Sequence, residues 1–363
     1  MKASIEAGHE NLTPAGIGGG AKAVNWEFIA LTRFVLAWIV VSVHTFMPSQ
    51  IAEAFVMFGG KAAVVGFMLI SGFSIAASIE ARPHEFVLRR ILRIYPMYFG
   101  ALLFTLVVQL WVGPKVEVGG MVVEADGWGK FIGNALLVQM YLCKALNFNG
   151  PFWSLSIEFS YYLMAPLFLL LPRVILYPIV VASGVAFVLP SNPEAGKLYD
   201  LLTRFNGLRY LWSWLIGFCL YYNKNSIVSI AGLVFCLIVF SFSDKDFSGY
   251  VNWATIAFAF AVLQFSSYIK LNDFCKRLFN FLGDLSYPLY LVHFPLAILL
   301  VAGFNVTSDL LFFGLSLLLA YLNILVFDQV LKRIFFKPMT SKVYRLKMWG
   351  KLVPAGLLSA RRE

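Results

Sequence analysis

The sequence predicts an all-α polytopic membrane protein with about ten transmembrane helices and both termini in the cytoplasm. Three observations carry that prediction. Hydrophobic residues make up 60% of the 363-residue chain and charged residues 13%, about half the charged share of a soluble domain. Mean hydropathy is +0.77. Apolar runs of about twenty residues, the length that crosses a hydrocarbon core about 30 Å thick, recur along the chain. The net charge of +10 points to basic cytoplasmic loops. No aromatic-and-basic interleaving suggests a nucleic-acid partner. Cys143, Cys219, Cys236 and Cys275 are scattered, which reads as apolar packing thiols. No metal-ligand cluster is visible, since His9 and His84 stand in a tail and a loop without ligand-like neighbours.

The elements follow in order. Residues 1–24, with GIGGG at 16–20, read as a flexible cytoplasmic tail without the apolar core of a signal peptide. The membrane domain covers 25–335, and a basic cytoplasmic tail covers 336–363. The first run, 28–47, is interrupted only by Arg33 and His44. The second, 54–79, follows a turn at Pro48. A basic connection holds Arg82, Arg89, Arg90 and Arg93, and the third run covers 94–112. Residues 113–152 are mixed and contain one short apolar piece, 131–142. The later runs are 153–171, 174–189, 207–222, 227–242, 250–269, 285–304 and 309–331.

The short piece reaches only about 18 Å as a helix, too little to cross. Charge gives an independent answer. With ten spans and an inner N-terminus, the basic segments 82–93, 270–277 and 332–362 all fall on the cytoplasmic side, as the positive-inside tendency requires. An eleventh span at 131–142 would move the last two outside. The piece is therefore expected to be re-entrant or interfacial.

A titratable group inside a spanning helix is costly, so Arg33 and His44 stand out. They are eleven positions apart. At about 100° per residue they share one helix face, about 16 Å apart along the axis. One reading is a snorkelling arginine and an interfacial histidine. The other is a functional pair, with a cation near the inner surface and an imidazole near the outer. Glu158 lies about one turn into its run, at the predicted depth of His44. A carboxylate there either orients the imidazole as a general base or satisfies a neighbouring Arg or Tyr. Arg90 and Arg93 share a face at i, i+3 spacing. They serve topology alone, or they hold a polyanion through guanidinium forks. Ser71 and Gly72 permit close helix approach, or leave a gap for a thin ligand tail. Tyr287, Tyr290 and His293 line one face of the 285–304 run, marking either a cavity or interhelical hydrogen bonds.

Together these pieces resemble the acyltransferase 3 family of membrane-bound O-acyltransferases acting on bacterial glycans. The resemblance covers about residues 25–335. Arg33 with His44 is similar to the family's R-x(10)-H signature, and Arg90 with Arg93 to its RxxR signature, followed by Ile94, Tyr95 and Pro96. LISGF at 69–73 looks like its SGF element. Trp153, Ser154, Leu155, Glu158 and Tyr162 look like its WSL-x-x-E-x-x-x-Y element. Ser286, Tyr287, Tyr290 and His293 look like its SY-x-x-YL-x-H element. The chain departs at Val65, where relatives often carry an acid, and at Asp328, which no proline follows. Its short C-terminal tail resembles the stand-alone type without a fused hydrolase-like domain.

The resemblance implies transfer of an acyl group, most often acetyl, from cytoplasmic acetyl-CoA to a sugar hydroxyl. The acceptor would be a surface glycan or lipid-linked saccharide at the outer face of a bacterial inner membrane. Arg33, Arg90 and Arg93, with Tyr95, would bind coenzyme A, its arm passing Ser71 and Gly72. His44, oriented by Glu158, would be the general base or carry a transient acetyl group. Trp153, Tyr287, Tyr290 and His293 would line the tunnel or hold the oxyanion. The rival class is a transporter of an anionic or lipid-linked sugar, with His44 and Glu158 relaying protons. No inverted repeat of broken helices favours it. Oligomeric state and acceptor identity do not follow from the sequence.

Overall fold

The computed structural model describes residues 24–83, 86–189, 206–223, 227–243 and 250–336. The expected tails, 1–24 and 336–363, lie outside them but for their innermost residue, as do His9 and His84. Each of the ten apolar runs contains a helix. In chain order these are α1 (Trp26–Val43), α2 (Gln50–Val56), α3 (Gly60–Ala81), α4 (Phe86–Val112), α5 (Trp128–Ala135), α6 (Trp153–Leu170), α7 (Arg173–Val188), α8 (Leu211–Tyr222), α9 (Ile227–Phe242), α10 (Tyr250–Phe265), α11 (Asp273–Ile298) and α12 (Asp309–Asn323). α11 continues through a π-helical turn, Leu299–Gly303, and α12 through a longer one, Ile324–Phe336.

Among the described residues, six helical segments are long and apolar enough to cross a membrane: those built on α1, α3, α4, α6, α11 and α12. The multi-pass character rests on these six. α7, α9 and α10 have 16 residues and α8 has 12, lengths of about 24 and 18 Å.

The second apolar run is not one helix. It breaks between α2 and α3 at Gly59, whose φ of +74° suits glycine and not the residues around it. α4 is longer than its run. Its 27 residues span about 40 Å, more than a hydrocarbon core of about 30 Å, and Arg89, Arg90 and Arg93 lie in its first turns. The 113–152 segment opens with a hairpin that the sequence reading missed, β1 (Lys115–Val118) paired antiparallel with β2 (Met121–Glu124). Its two-residue turn is Gly119–Gly120, both at positive φ, the geometry that matches strand twist. The short apolar piece is helical only up to Ala135. Beyond it Leu137 and Met140 have positive φ, and the chain folds back against α4 and α6. Tyr98 donates to Asn134 O, Ser156 to Gln139 O, and the Gln139 amide to Phe152 O. Of these, the Ser156 bond satisfies the Gln139 carbonyl, which lies outside any helix.

Two close approaches fix the centre. α1 and α11 run parallel, with Gly283 against Ala30 at one end and His293 against His44 at the other. A Cβ on Gly283 would come within 2.4 Å of the Ala30 Cβ. α3 and α8 touch backbone to backbone, because a Cβ on Gly72 would meet Trp214 O at 1.9 Å and one on Gly217 would meet Leu69 O at 1.9 Å. Small residues permit such contacts between membrane helices.

Candidate active site

Helices α1, α3, α4, α6 and α11 bring the sequence-predicted polar residues into two clusters at opposite ends of α1. The first surrounds Arg33, whose charged neighbours come from α4, α6 and α11. Arg33 lies in electrostatic range of Arg93, Tyr162, Glu158 and Asp284. Arg90 lies in range of Arg33, Arg89, Arg93 and Tyr162. Its guanidinium also sits over the Phe86 ring at 5.5 Å, a cation–π contact that holds it at the helix start. Arg33 and Arg90 are half-buried, and Arg93 is exposed. Tyr162 bridges this cluster to α3. Its hydroxyl donates to the Glu158 carboxylate and lies 3.2 Å from Ser71 Oγ. Tyr287 of α11 closes the group, in range of Glu158, Tyr162 and Arg33.

The second cluster is built on the last turn of α1. His44 is the C-cap residue of that helix. Its Nδ1 lies 2.9 Å from Val40 O and 3.2 Å from Nε2 of His293. His293 is fully buried, with Nδ1 at 2.8 Å from Tyr290 O. A carbonyl only accepts, so the two partners assign the tautomers: Nδ1 carries the hydrogen in both neutral rings. Nε2 of His293 therefore offers its lone pair to the His44 Nδ1–H. Nε2 of His44 is left as the unprotonated nitrogen, the atom able to take a proton or attack a carbonyl. Phe294 stands edge-on to the His44 ring, centroids 5.3 Å apart.

Tyr290 supports this end from α11. Its hydroxyl donates to Pro151 O at 2.8 Å and shares a 2.8 Å bond with Ser154 Oγ. Ser154 lies one helical turn before Glu158, so α6 touches both clusters.

Three expectations need correction. Glu158 does not orient His44: it is bonded to Tyr162 beside the arginines, and His293 occupies the position at Nδ1. The predicted depth itself does not hold: Glu158 lies in electrostatic range of Arg33, eleven positions before His44 on α1. Gly72 opens no gap for a ligand arm, because the α8 backbone fills that space; Ser71, its neighbour, does face the cluster. Tyr95 turns away from the arginines and donates to Ala135 O at 3.0 Å, tying the irregular loop to α4. Trp153 packs on Tyr210 with centroids 5.0 Å apart, a helix contact at the edge of the second cluster.

One residue was missed altogether. Asn149 is fully buried, and its amide donates to Thr105 Oγ1 and to Leu291 O, each at 3.0 Å. Pro295 lies inside α11 and has no N–H for the carbonyl four residues earlier. That carbonyl is Leu291 O, and Asn149 replaces the missing donor. The signal was present as a proline within an apolar run. Among the described residues, no three His, Cys, Asp or Glu side chains are grouped to hold a metal ion.

A family profile described as an acyltransferase domain matches residues 26–327. The chain is 35% identical over 119 residues to the acyltransferase MdmB of Streptomyces mycarofaciens. That stretch covers 31% of this chain and 30% of MdmB, so the chain spans about a third of the relative's length. No solved structure matches the chain.

Proposed function

Given that the chain belongs to the acyltransferase 3 family, we propose that it is a multi-pass membrane enzyme that O-acylates a sugar hydroxyl at the outer face of a bacterial inner membrane, using cytoplasmic acetyl-CoA. The observation that carries this reading is the pair of clusters on one helix. Arginines gather at one end of α1 and a tautomer-fixed imidazole stands at the other, about 16 Å away along the axis. In this reading the chain crosses ten times with both termini inside, and 25–335 is the transferase domain.

The donor's phosphates lie against Arg90, Arg93 and Arg33, where forked guanidinium donors suit them. Glu158 and Tyr162 hold Arg33 in place, and the donor arm passes Ser71 toward His44. The acceptor hydroxyl gives its proton to Nε2 of His44 while its oxygen attacks the thioester carbonyl carbon. The new C–O bond forms, the C–S bond breaks, and the departing sulfur takes the proton from His44. Charge on the imidazolium is met at Nδ1 by His293 Nε2 and Val40 O. Positioning of this kind contributes much of a transfer barrier's reduction.

The test is radiolabelled acetyl-CoA added to membranes carrying wild type or His44→Ala. Label entering a glycan fraction with wild type alone supports the reading. Equal label in both removes His44 from the chemistry, and label in neither removes the donor.

A further inference from the structure

An open groove of about 600 Å³ lies next to the second cluster, lined by residues on either side of His44 but not by His44 itself, and its volume is within the size range of small-molecule sites. Its wall is the end of α1, with Ser42 and Val43, and the turn after His44, with Thr45 and Phe46, and its far side is α2 and its C-cap, with Glu53 and Met57. Gly119 at the hairpin tip closes one edge. Phe46 connects the groove to the catalytic end. It is held at φ +53°, an uncommon conformation for a bulky residue. Its ring is edge-on to Phe294 at 5.4 Å, and Phe294 is edge-on to His44.

The charge of the groove is one-sided. Glu53 is exposed and is the only ionisable residue among the described lining. It stands in the first turn of α2, whose N-cap is Ser49. The Ser49 hydroxyl donates to Asp309 Oδ2 at 2.8 Å, so a second carboxylate lies behind the groove floor. Phe46, Met47, Val56 and Met57 supply apolar surface.

We infer that this groove seats the acyl acceptor, and that Glu53 selects hydroxyl compounds that are neutral or positively charged and rejects carboxylated ones. The inference rests on the reading of His44 as the reacting end. A like charge brought beside a carboxylate is strongly disfavoured, and an amine beside it is favoured. The apolar wall takes the hydrophobic face of the acceptor.

The experiment measures binding of phenyl β-glucosaminide, phenyl β-glucoside and phenyl β-glucuronide to the purified full-length protein without donor. The same three compounds then serve as acceptors with radiolabelled acetyl-CoA. Wild type is expected to favour the glucosaminide over the glucuronide by about tenfold or more. Glu53→Gln should erase the preference for the amine over the neutral sugar, and Glu53→Lys should reverse the order toward the glucuronide. Met57→Trp, which fills the groove, should weaken all three and leave donor affinity unchanged. An order that ignores residue 53, or no binding of any of the three, overturns the inference. Binding in the expected order without transfer from acetyl-CoA overturns the donor reading and leaves the groove assignment standing. Transfer that is indifferent to residue 53 overturns the groove alone.

Discussion

Nε2 of His293 lies 3.2 Å from Nδ1 of His44, and the carbonyls of Tyr290 and Val40 fix which nitrogen of each ring carries hydrogen. The two histidines thus have different work in the proposed reaction. His44 has the free nitrogen, and His293 positions it.

The first prediction separates those roles. His44→Ala should lower kcat by about 10²–10⁴-fold, the range for loss of a general base. His293→Ala removes a partner and loosens the ring. It should lower kcat by about tenfold to a hundredfold, with the KM for donor nearly unchanged. Steady-state kinetics on both variants, with thermal melts to confirm folding, make the comparison. Equal losses in kcat and donor KM for His293→Ala would contradict a positioning role.

The arginine end should behave differently. Arg90→Ala and Arg93→Ala should raise the donor KM by tenfold or more each, on the order of a lost charge-assisted contact worth about 1.5–3 kcal/mol. Lysine should restore only part, because a point charge lacks the fork. Glu158→Gln belongs with this group, since Glu158 is bonded to Tyr162 near Arg33. Its effect is expected in donor KM, and a kcat-only effect would return Glu158 to the histidine.

Packing at Gly72 and Gly217 is open to a stability test. Valine at either position drives side-chain atoms into the backbone of the facing helix. Overpacking of this kind costs about 1–3 kcal/mol or more. Lower yield and melting temperature are expected, with the donor KM of surviving protein unaltered. A selective loss of donor affinity without destabilisation would mean that the gap does carry the donor.

Asn149 and Pro295 form a double-mutant cycle. Asn149→Ala leaves Thr105 Oγ1 and Leu291 O without their donor and should cost about 1–3 kcal/mol. Pro295→Ala returns an N–H to the helix at the Leu291 carbonyl. In that background Asn149→Ala should cost less, with a coupling of about 0.5–3 kcal/mol. Additive melts would show that Asn149 does not act through that carbonyl.

Much of the fold was legible because hydrophobic run length reports directly on membrane crossing. Each of the ten runs holds a helix, and six segments are long enough to cross. The piece at 131–142 proved too short and irregular to do so. The hairpin at Gly119–Gly120 was missed although the Gly-Gly turn was there to read, because an apolar scan does not look for alternation. The break at Gly59 was hidden for the same reason: hydropathy is blind to one residue's backbone dihedral.

Sequence alone determined which residues are polar in apolar surroundings, and with them the family: Arg33, His44, Arg90, Arg93, Glu158 and His293 are costly to bury and so stand out wherever they occur. Tertiary structure alone decided which of them meet. Depth along a helix follows from residue number at a fixed rise, but partnership depends on the rotation and neighbours of each helix. Those are set by contacts far apart in sequence, such as Gly283 on Ala30 and Gly72 on Trp214. Glu158 and His44 shared a predicted depth, yet the packing of α1 on α11 gave His44 to His293, while Glu158 bonds Tyr162 four residues along its own helix and that helix sets both beside Arg33.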